Sequence, residues 1–237
     1  MGQEVLKQIQ NSEDFSILCG IDRSASAAYS FPIYTNIHDV KEHPDVIIDF
    51  SVPSASIEVL KFSVEHNIPI VIATTGFSDE ELSTIKKYSE KVPIFRSGNM
   101  SYEVAVLSNI VAKLAVLLKD SDIEIVETHH NNKIDSPSGT ALLLADSINN
   151  ALGNVMTYEY NRQAKKEKRN SKEIGIHSVR GGTIVGKHTV SFFGENETLE
   201  ITHNSDSRSV YAKGAIKAAR FIVNQKNGLY DMKDLIK

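Results

Sequence analysis

The hydrophobic positions of the chain fall into two rhythms that change near residue 101. In the first hundred residues, short and nearly uninterrupted apolar runs recur at Phe15 to Ile21, Asp45 to Phe50, Ile68 to Ala73 and Val92 to Phe95. Short Val/Ile-rich runs without polar alternation predict strands buried on both faces. Helix candidates separate the last three. One opens at Pro53-Ser54 and runs to His66; the other opens at Ser78, with Glu81 in the S-x-x-E spacing of a capping box. Buried strands alternating with helices predict a Rossmann-type, doubly wound parallel sheet of the α/β class.

Past Ser101 the pattern changes. Glu103 to Leu118 reads as a long apolar helix with Val104, Leu107, Val111, Leu114 and Leu118 on one stripe. A strand follows from Ile123 to Thr128, then a helix expected to open at Ser136-Pro137 and to close near Gly153. Alternating positions over Ile174 to Val179, Thr183 to Phe193 and Glu197 to His203 predict three strands joined by glycine-containing turns. Together these imply a second, α+β domain with an open mixed, largely antiparallel sheet. A final helix, Val210 to Val223, turns Ala212, Ala215, Ile216, Ala219 and Ile222 inward and is expected to return to the first domain. The expected organisation is a dinucleotide-binding domain from residues 1–100 and 211–237, and a substrate-binding domain from residues 101–210. Hinges fall near Asn99 to Ser101 and near Ser207 to Tyr211.

Composition narrows the function. A formal net charge of -4 over 237 residues, with no basic stripe, gives no reason to expect nucleic acid as a partner. No stretch reaches the roughly 18 apolar residues of a membrane span, and no signal-peptide layout opens the chain. The single cysteine, Cys19, lies in an apolar run and is expected to be a buried, inert thiol, which fits a reducing cytoplasm. The charge cluster Lys165-Lys166-Glu167-Lys168-Arg169 reads as a solvated loop. A small-molecule enzyme and a soluble binding protein remain.

The most informative stretch is residues 127–141, where two imidazoles and an ammonium follow a strand and precede Ser-Pro-Ser-Gly-Thr at a helix start. Helix starts present backbone N–H groups and partial positive charge, Ser138 and Thr140 add hydroxyls, and Gly139 permits close approach. That combination suits a carboxylate or phosphate. Lys133 adds charge, and a histidine can donate a proton near neutral pH. A metal is not expected at His129-His130, because no cysteine and no acid at ligand spacing converges there.

The first domain carries weaker signals for a dinucleotide. Met1-Gly2 opens what reads as the first helix, and Gly2 fits the last glycine of a G-x-G-x-x-G fingerprint whose strand and earlier glycines have no counterpart here. Asp22 follows the next strand at the spacing of a ribose-binding acid, and the adjacent Arg23 could accept a 2′-phosphate; a plain surface ion pair explains them equally well. Ala73-Thr74-Thr75 and Ser97-Gly98-Asn99-Met100 stand beyond two strand ends, where ligands of parallel sheets bind, although turn chemistry also favours such residues.

Residues 127–141 match E-x-H-H-x-x-K-x-D-x-P-S-G-T-A at every fixed position, and the chain here resembles the dihydrodipicolinate reductase family. The likeness extends over Asp49-Phe50-Ser51, Ala73 to Phe77, Gly98 to Ser101, Arg180 to Gly186, Glu200 to His203, Ser207-Arg208 and Gly228 to Met232. It implies NAD(P)H-dependent reduction of 4-hydroxy-tetrahydrodipicolinate in lysine and diaminopimelate biosynthesis, in a homotetramer assembled through the second domain's sheets. His129 would then be the proton donor, with Lys133 a second donor and charge anchor. His130, Ser138, Gly139 and Thr140 would hold the substrate. Asp22 and Arg23 would meet the adenosine ribose, Met1 and Gly2 the pyrophosphate, and Ala73 to Thr75 with Ser97 to Met100 the nicotinamide. Val52, where some relatives have arginine, leaves NADH and NADPH both open. Without the first strand, the edges of Phe15–Ile21 and Asp45–Phe50 would lack partners and cofactor affinity would be weak. Other readings are a dicarboxylate-binding relative without turnover, and another two-domain reductase of amino-acid metabolism. Cys19 is wrongly placed for the nucleophile of a semialdehyde dehydrogenase.

Overall fold

A computed structural model describes residues 1–10, 12–24 and 29–236. In chain order its elements are α1 (Gly2–Ile9), β1 (Gly20–Ile21), β2 (Ile33–Tyr34), β3 (Ile47–Asp49), α2 (Pro53–His66), β4 (Ile70–Ile72), α3 (Asp79–Tyr88) and β5 (Pro93–Arg96). There follow α4 (Tyr102–Leu117), β6 (Asp122–His129), α5 (Gly139–Ala151), β7 (Thr157–Glu159), α6 (Arg162–Lys165), β8 (Glu173–Arg180), β9 (Gly186–Phe193), β10 (Thr198–Ser205), α7 (Ser209–Ile222) and β11 (Gly228–Tyr230). The chain folds into two compact units, one of Met1–Ser101 with Ser209–Lys237 and one of Tyr102–Arg208. Among the described residues no helix is long and apolar enough to cross a membrane.

The first unit is built on a wholly parallel sheet in the order β11-β5-β4-β3. Ile70, Val71 and Ile72 are all fully buried, which requires cover on both faces. Leu60 of α2 and Ile85 of α3 pack with Ile70, Ile72 and Ile94 on one face. On the other, Phe95 meets Phe221 of α7 edge-on. α7 comes so close to the loop after β5 that a Cβ on Gly214 would overlap the Met100 carbonyl at 1.5 Å, so only glycine fits there. α3 begins as its sequence indicates: the Glu81 amide donates to Ser78 Oγ and the Ser78 amide to Glu81 Oε2.

Two expectations for this unit change, and one strand is added. Phe15 to Ile21 is not a buried central strand. Only Gly20 and Ile21 are extended in a ladder, paired with β2 in a separate two-stranded sheet, and Leu18 and Ile21 are exposed. A strand is buried only where ladders flank it, and among the described residues β2 is the one partner β1 has. Cys19 is half-buried rather than buried, and burial together with nearby Glu42 raises its pKa, so it stays a thiol. Gly228–Tyr230, too short to announce a strand, pairs with β5 as the sheet's edge.

The second unit is one five-stranded mixed sheet, β10-β9-β6-β8-β7, with two antiparallel and two parallel pairings. The three late strands do not form a simple meander, because β6 inserts between β8 and β9. α4 and α5 cover one face over Ile123, Ile125, Ile174, Ile176, Val190 and Phe192. Alternation places Val126, Val179 and Phe193 on the opposite, exposed face. The basic cluster is only partly solvated. Lys165 pairs with Glu159 and Glu173, while Arg169 pairs with Asp122 and Glu124 and donates to the carbonyls of Ile123 and Glu173. These acids gather where β6, β7 and β8 run side by side, and the sequence gives no hint that they meet.

Candidate active site

The covered face of the second unit's sheet changes character along its strands. On β6 the buried positions are Ile123, Ile125, Glu127 and His129, so a carboxylate and an imidazole occupy the phase set by isoleucine. Cross-strand register makes this a row: Glu127 stands opposite Ser178 of β8 and His188 of β9, and His188 stands opposite His203 of β10. In the next row His129 faces Arg180. The hydrophobic core therefore ends against a polar network.

Glu127, fully buried, is the centre of that network. Arg180 donates to both oxygens, Nη1 to Oε2 and Nη2 to Oε1, each at 2.8 Å. The Ser138 amide donates to Oε1 at 3.0 Å, and His129 Nδ1 lies 2.5 Å from Oε2. Burial works to raise the carboxyl's pKa, but the bonds from Arg180, Ser178, His129 and Ser138 outweigh it and bring it to about 2. Glu127 is therefore an anion that only accepts, which makes Nδ1 of His129 the protonated nitrogen. Burial lowers the His129 pKa, Glu127 opposes that, and Lys133 and Arg180 add to the lowering. Its Nε2 lies over Gly186, where a Cβ would stand 3.1 Å away.

Ser138 is the N-cap of α5, and its Oγ accepts from the Ala141 amide. The helix thus starts at Gly139 rather than at Ser136-Pro137. Pro137 precedes the cap because it is Ser138 that accepts from the Ala141 amide. The same Oγ lies 3.0 Å from His188 Nε2, so the hydroxyl is spent inside the protein and is not open to a ligand. His188 packs edge-on against His129 at 5.1 Å; burial, then the neighbouring imidazole, push its pKa down to about 4. Lys133 pairs with Asp135 at 2.8 Å, and the Asp135 carbonyl accepts from Arg180 Nη2. The His130 amide donates to Ile184 and that of Asn131 to Gly182, whose φ of +56° suits glycine. Residues 183–185, expected in the strand, form this loop instead. A Cβ on Gly139 would meet nothing within 4 Å, so the helix start has open space beside it.

Of the residues expected to meet substrate, His129 and Ser138 are thus joined through Glu127, and Lys133 through Asp135 and Arg180. His130, Gly139 and Thr140 flank them in the chain. Glu127, Arg180 and His188 were not singled out from the sequence. Their signal was available for Glu127 and His188: a polar residue in the apolar phase of a strand.

The candidate cofactor residues lie in the first unit. Ala73 to Thr75 follow β4 and Ser97 to Met100 follow β5, its neighbour. Thr74 is buried and donates to Asp49 Oδ2 at 3.2 Å; Asp49 also accepts from the Ser51 amide and the Ser56 hydroxyl. Ser97 Oγ donates to the Asn99 carbonyl at 2.7 Å, and Met100 is buried. Gly98 has open space where a Cβ would stand. Asp22 and Arg23 follow β1 and are exposed. Met1 caps α1, which packs on α7, and no neighbour of Gly2 demands a glycine. Among the described residues no group of three or more His, Cys, Asp or Glu could hold a metal.

Residues 1–100 match the model for the dihydrodipicolinate reductase N-terminus, and residues 103–236 the model for its C-terminus. The chain belongs to the dihydrodipicolinate reductase family. Members of this family are nicotinamide-dependent oxidoreductases. The 4-hydroxy-tetrahydrodipicolinate reductase of Caldanaerobacter subterraneus subsp. tengcongensis is 48% identical over the whole chain and 94% of its own length. That of Clostridium novyi is 42% identical over the same shares. The dipicolinate-bound dihydrodipicolinate reductase from Paenisporosarcina sp. TG-14 has the same fold, with a TM-score of 0.83 at 24% identity over 100% of this chain and 95% of that one.

Proposed function

We propose that this reductase converts 4-hydroxy-tetrahydrodipicolinate to tetrahydrodipicolinate with NADH or NADPH, in the cytoplasm, as a step of lysine and diaminopimelate biosynthesis. The observation that supports this most is the joining of His129 and the start of α5 through the buried Glu127 carboxylate, and of the Lys133 loop through Arg180, which clamps that carboxylate. A small dianion needs fixed positive charge, helix-start amides and a proton source, and these elements supply all three. Lys133 attracts the dicarboxylate, His130 with Gly139 and Thr140 holds a carboxylate, and His129 gives a proton. Ser138 contributes by capping α5, not by offering its hydroxyl.

A nicotinamide cofactor fits the carboxyl ends of β4 and β5, where Gly98 leaves its backbone open to a ligand. Bound there, it supplies the hydride. Ala73 to Thr75 and Ser97 to Met100 line the nicotinamide side. Asp22 would accept from a ribose hydroxyl and Arg23 would pair with a 2′-phosphate, which favours use of both nucleotides. Met1 and Gly2, at the start of α1, complete the reading on the pyrophosphate side. The open face carrying Val126, Val179 and Phe193 supports assembly as a homotetramer through this sheet.

Calorimetric titration of the chain with NADH, NADPH and pyridine-2,6-dicarboxylate, followed by turnover assays, tests the reading. Binding of a dinucleotide and of the dicarboxylate, with turnover, is expected. Dicarboxylate binding without any dinucleotide binding would replace the reductase with a binding protein.

A further inference from the structure

We infer that Glu127, clamped by Arg180, is the positioning residue that fixes the ring and tautomer of His129, leaving Nε2 as the only nitrogen able to exchange a proton. The inference deepens the reductase reading and rests on it for the identity of the proton acceptor. The two Glu127 oxygens take five donors from three segments: both Arg180 amines and the Ser178 hydroxyl on β8, the Ser138 amide at α5, and His129 Nδ1 on its own strand. A carboxylate free to rotate could not hold an imidazole in one plane. This one is pinned on both oxygens by a planar guanidinium, the geometry for which a bidentate Arg pair is suited. Gly186 leaves room at the other edge of the ring, next to Nε2.

Arg180 does a second thing. Its Nη2 also donates to the Asp135 carbonyl at 2.6 Å, and the Asp135 side chain pairs with Lys133. One guanidinium therefore holds both proton-bearing side chains in register.

The proton balance is simple. The 4-hydroxyl leaves as water, and reduction of the dehydrated ring then adds one hydride and one proton. The hydride comes from the nicotinamide and the proton leaves His129 Nε2; the ring keeps its Nδ1 proton and returns to neutral imidazole. Glu127 stays ionised throughout, and solvent restores the proton on Nε2. Around His129 stand Glu127 on β6, Arg180 on β8, Lys133 with Asp135 on the loop after β6, and His188 on β9. Behind His188 lies His203 on β10, with Glu103 of α4 near it. Glu127 favours the protonated form of His129 against burial, Lys133 and Arg180, so removing that charge lowers its pKa further. For a general acid this moves the high-pH limb of kcat/KM to lower pH.

The test uses the full chain, wild type against Glu127→Gln. For the variant we expect kcat lower by about 100-fold, KM and the Kd for pyridine-2,6-dicarboxylate within about threefold, and the high-pH limb moved down by about half a unit or more. Ring 15N shifts of neutral wild-type His129 should report the proton on Nδ1, with that preference lost in the variant. The inference is overturned if kcat stays within about threefold of wild type, or if the neutral wild-type ring carries its proton on Nε2. It is equally overturned if kcat falls while the limb and the 15N shifts stay put, since a merely structural role would do that. Should Glu127→Gln not fold because Arg180 is left buried and unpaired, the double variant Glu127→Gln/Arg180→Met removes both charges, and its readout is the 15N shifts of His129, with the Nδ1 preference expected to be lost. Wild type that neither binds the dicarboxylate nor turns over would defeat the reductase reading; the 15N comparison would still decide the role of Glu127.

Discussion

Glu127 and His188 occupy positions where the period of their strands calls for an aliphatic side chain, and this has consequences for stability as well as chemistry. His188 is buried with a pKa near 4, below the ordinary histidine value of 6.5. The unfolded chain therefore binds the proton more readily, and stability falls as pH drops from 6.5 to 4. At about 1.4 kcal/mol per unit the loss is at most about 3.5 kcal/mol. Glu127, at about 2 against 4.5, adds a further loss between pH 4.5 and 2, since the unfolded carboxyl is protonated first. Urea midpoints measured from pH 7 to 4 should decline, and His188→Asn should flatten the part above pH 4.5. An unchanged slope in that variant would move the effect to other groups. His129→Gln should lower kcat by about 100-fold or more and alter KM little, as expected for loss of a transition-state proton. Steady-state kinetics near wild type would pass the proton to Lys133.

At the scale of elements, two serine caps invite comparison. Ser78 caps α3 at the surface with its Glu81 partner, and both bonds were visible in the S-x-x-E spacing. Ser138 caps α5 in the interior and also bonds His188, a second role that no spacing reveals. Ser78→Ala should cost about 1 kcal/mol. Ser138→Ala should cost about 2 to 3 kcal/mol, because it also strands a buried imidazole nitrogen. Denaturant titration of the two variants checks the order; equal losses would mean that the Ser138–His188 bond contributes nothing. The same contrast separates the strands. Ile70 to Ile72 became a buried strand because β3 and β5 flank it, whereas Phe15 to Ile21, also largely apolar, pairs among the described residues only through Gly20 and Ile21 with β2.

At the scale of the whole molecule, the second unit's sheet has two unlike faces. One carries the helices and the polar network. The other carries Val126, Val179 and Phe193 in the open, with Thr189 and Thr202 bonded to each other across β9 and β10. If the proposed tetramer forms through this face, Val179→Asp should dissociate it with little effect on the fold of the subunit, since an exposed carboxylate is tolerated by the monomer and not by a closed apolar contact. Sedimentation velocity reads the outcome. A tetramer that persists unchanged in the variant would place the interface elsewhere.

What the sequence by itself determined follows from local rules. Val/Ile runs, a capping box, a 3.6-residue stripe and a fifteen-residue motif are each decided by neighbours a few positions apart. They sufficed for α2, α3, α4, β4, β5 and the stretch that carries His129 and Lys133. The insertion of β6 between β8 and β9 could not be read this way, because strand order depends on packing between residues about fifty positions apart. Nor could the clamp of Arg180 on Glu127, the bond from Ser138 to His188, or the seating of Arg169 among Asp122 and Glu124. Each joins groups whose attraction exists only after the chain has brought them together and removed the water between them.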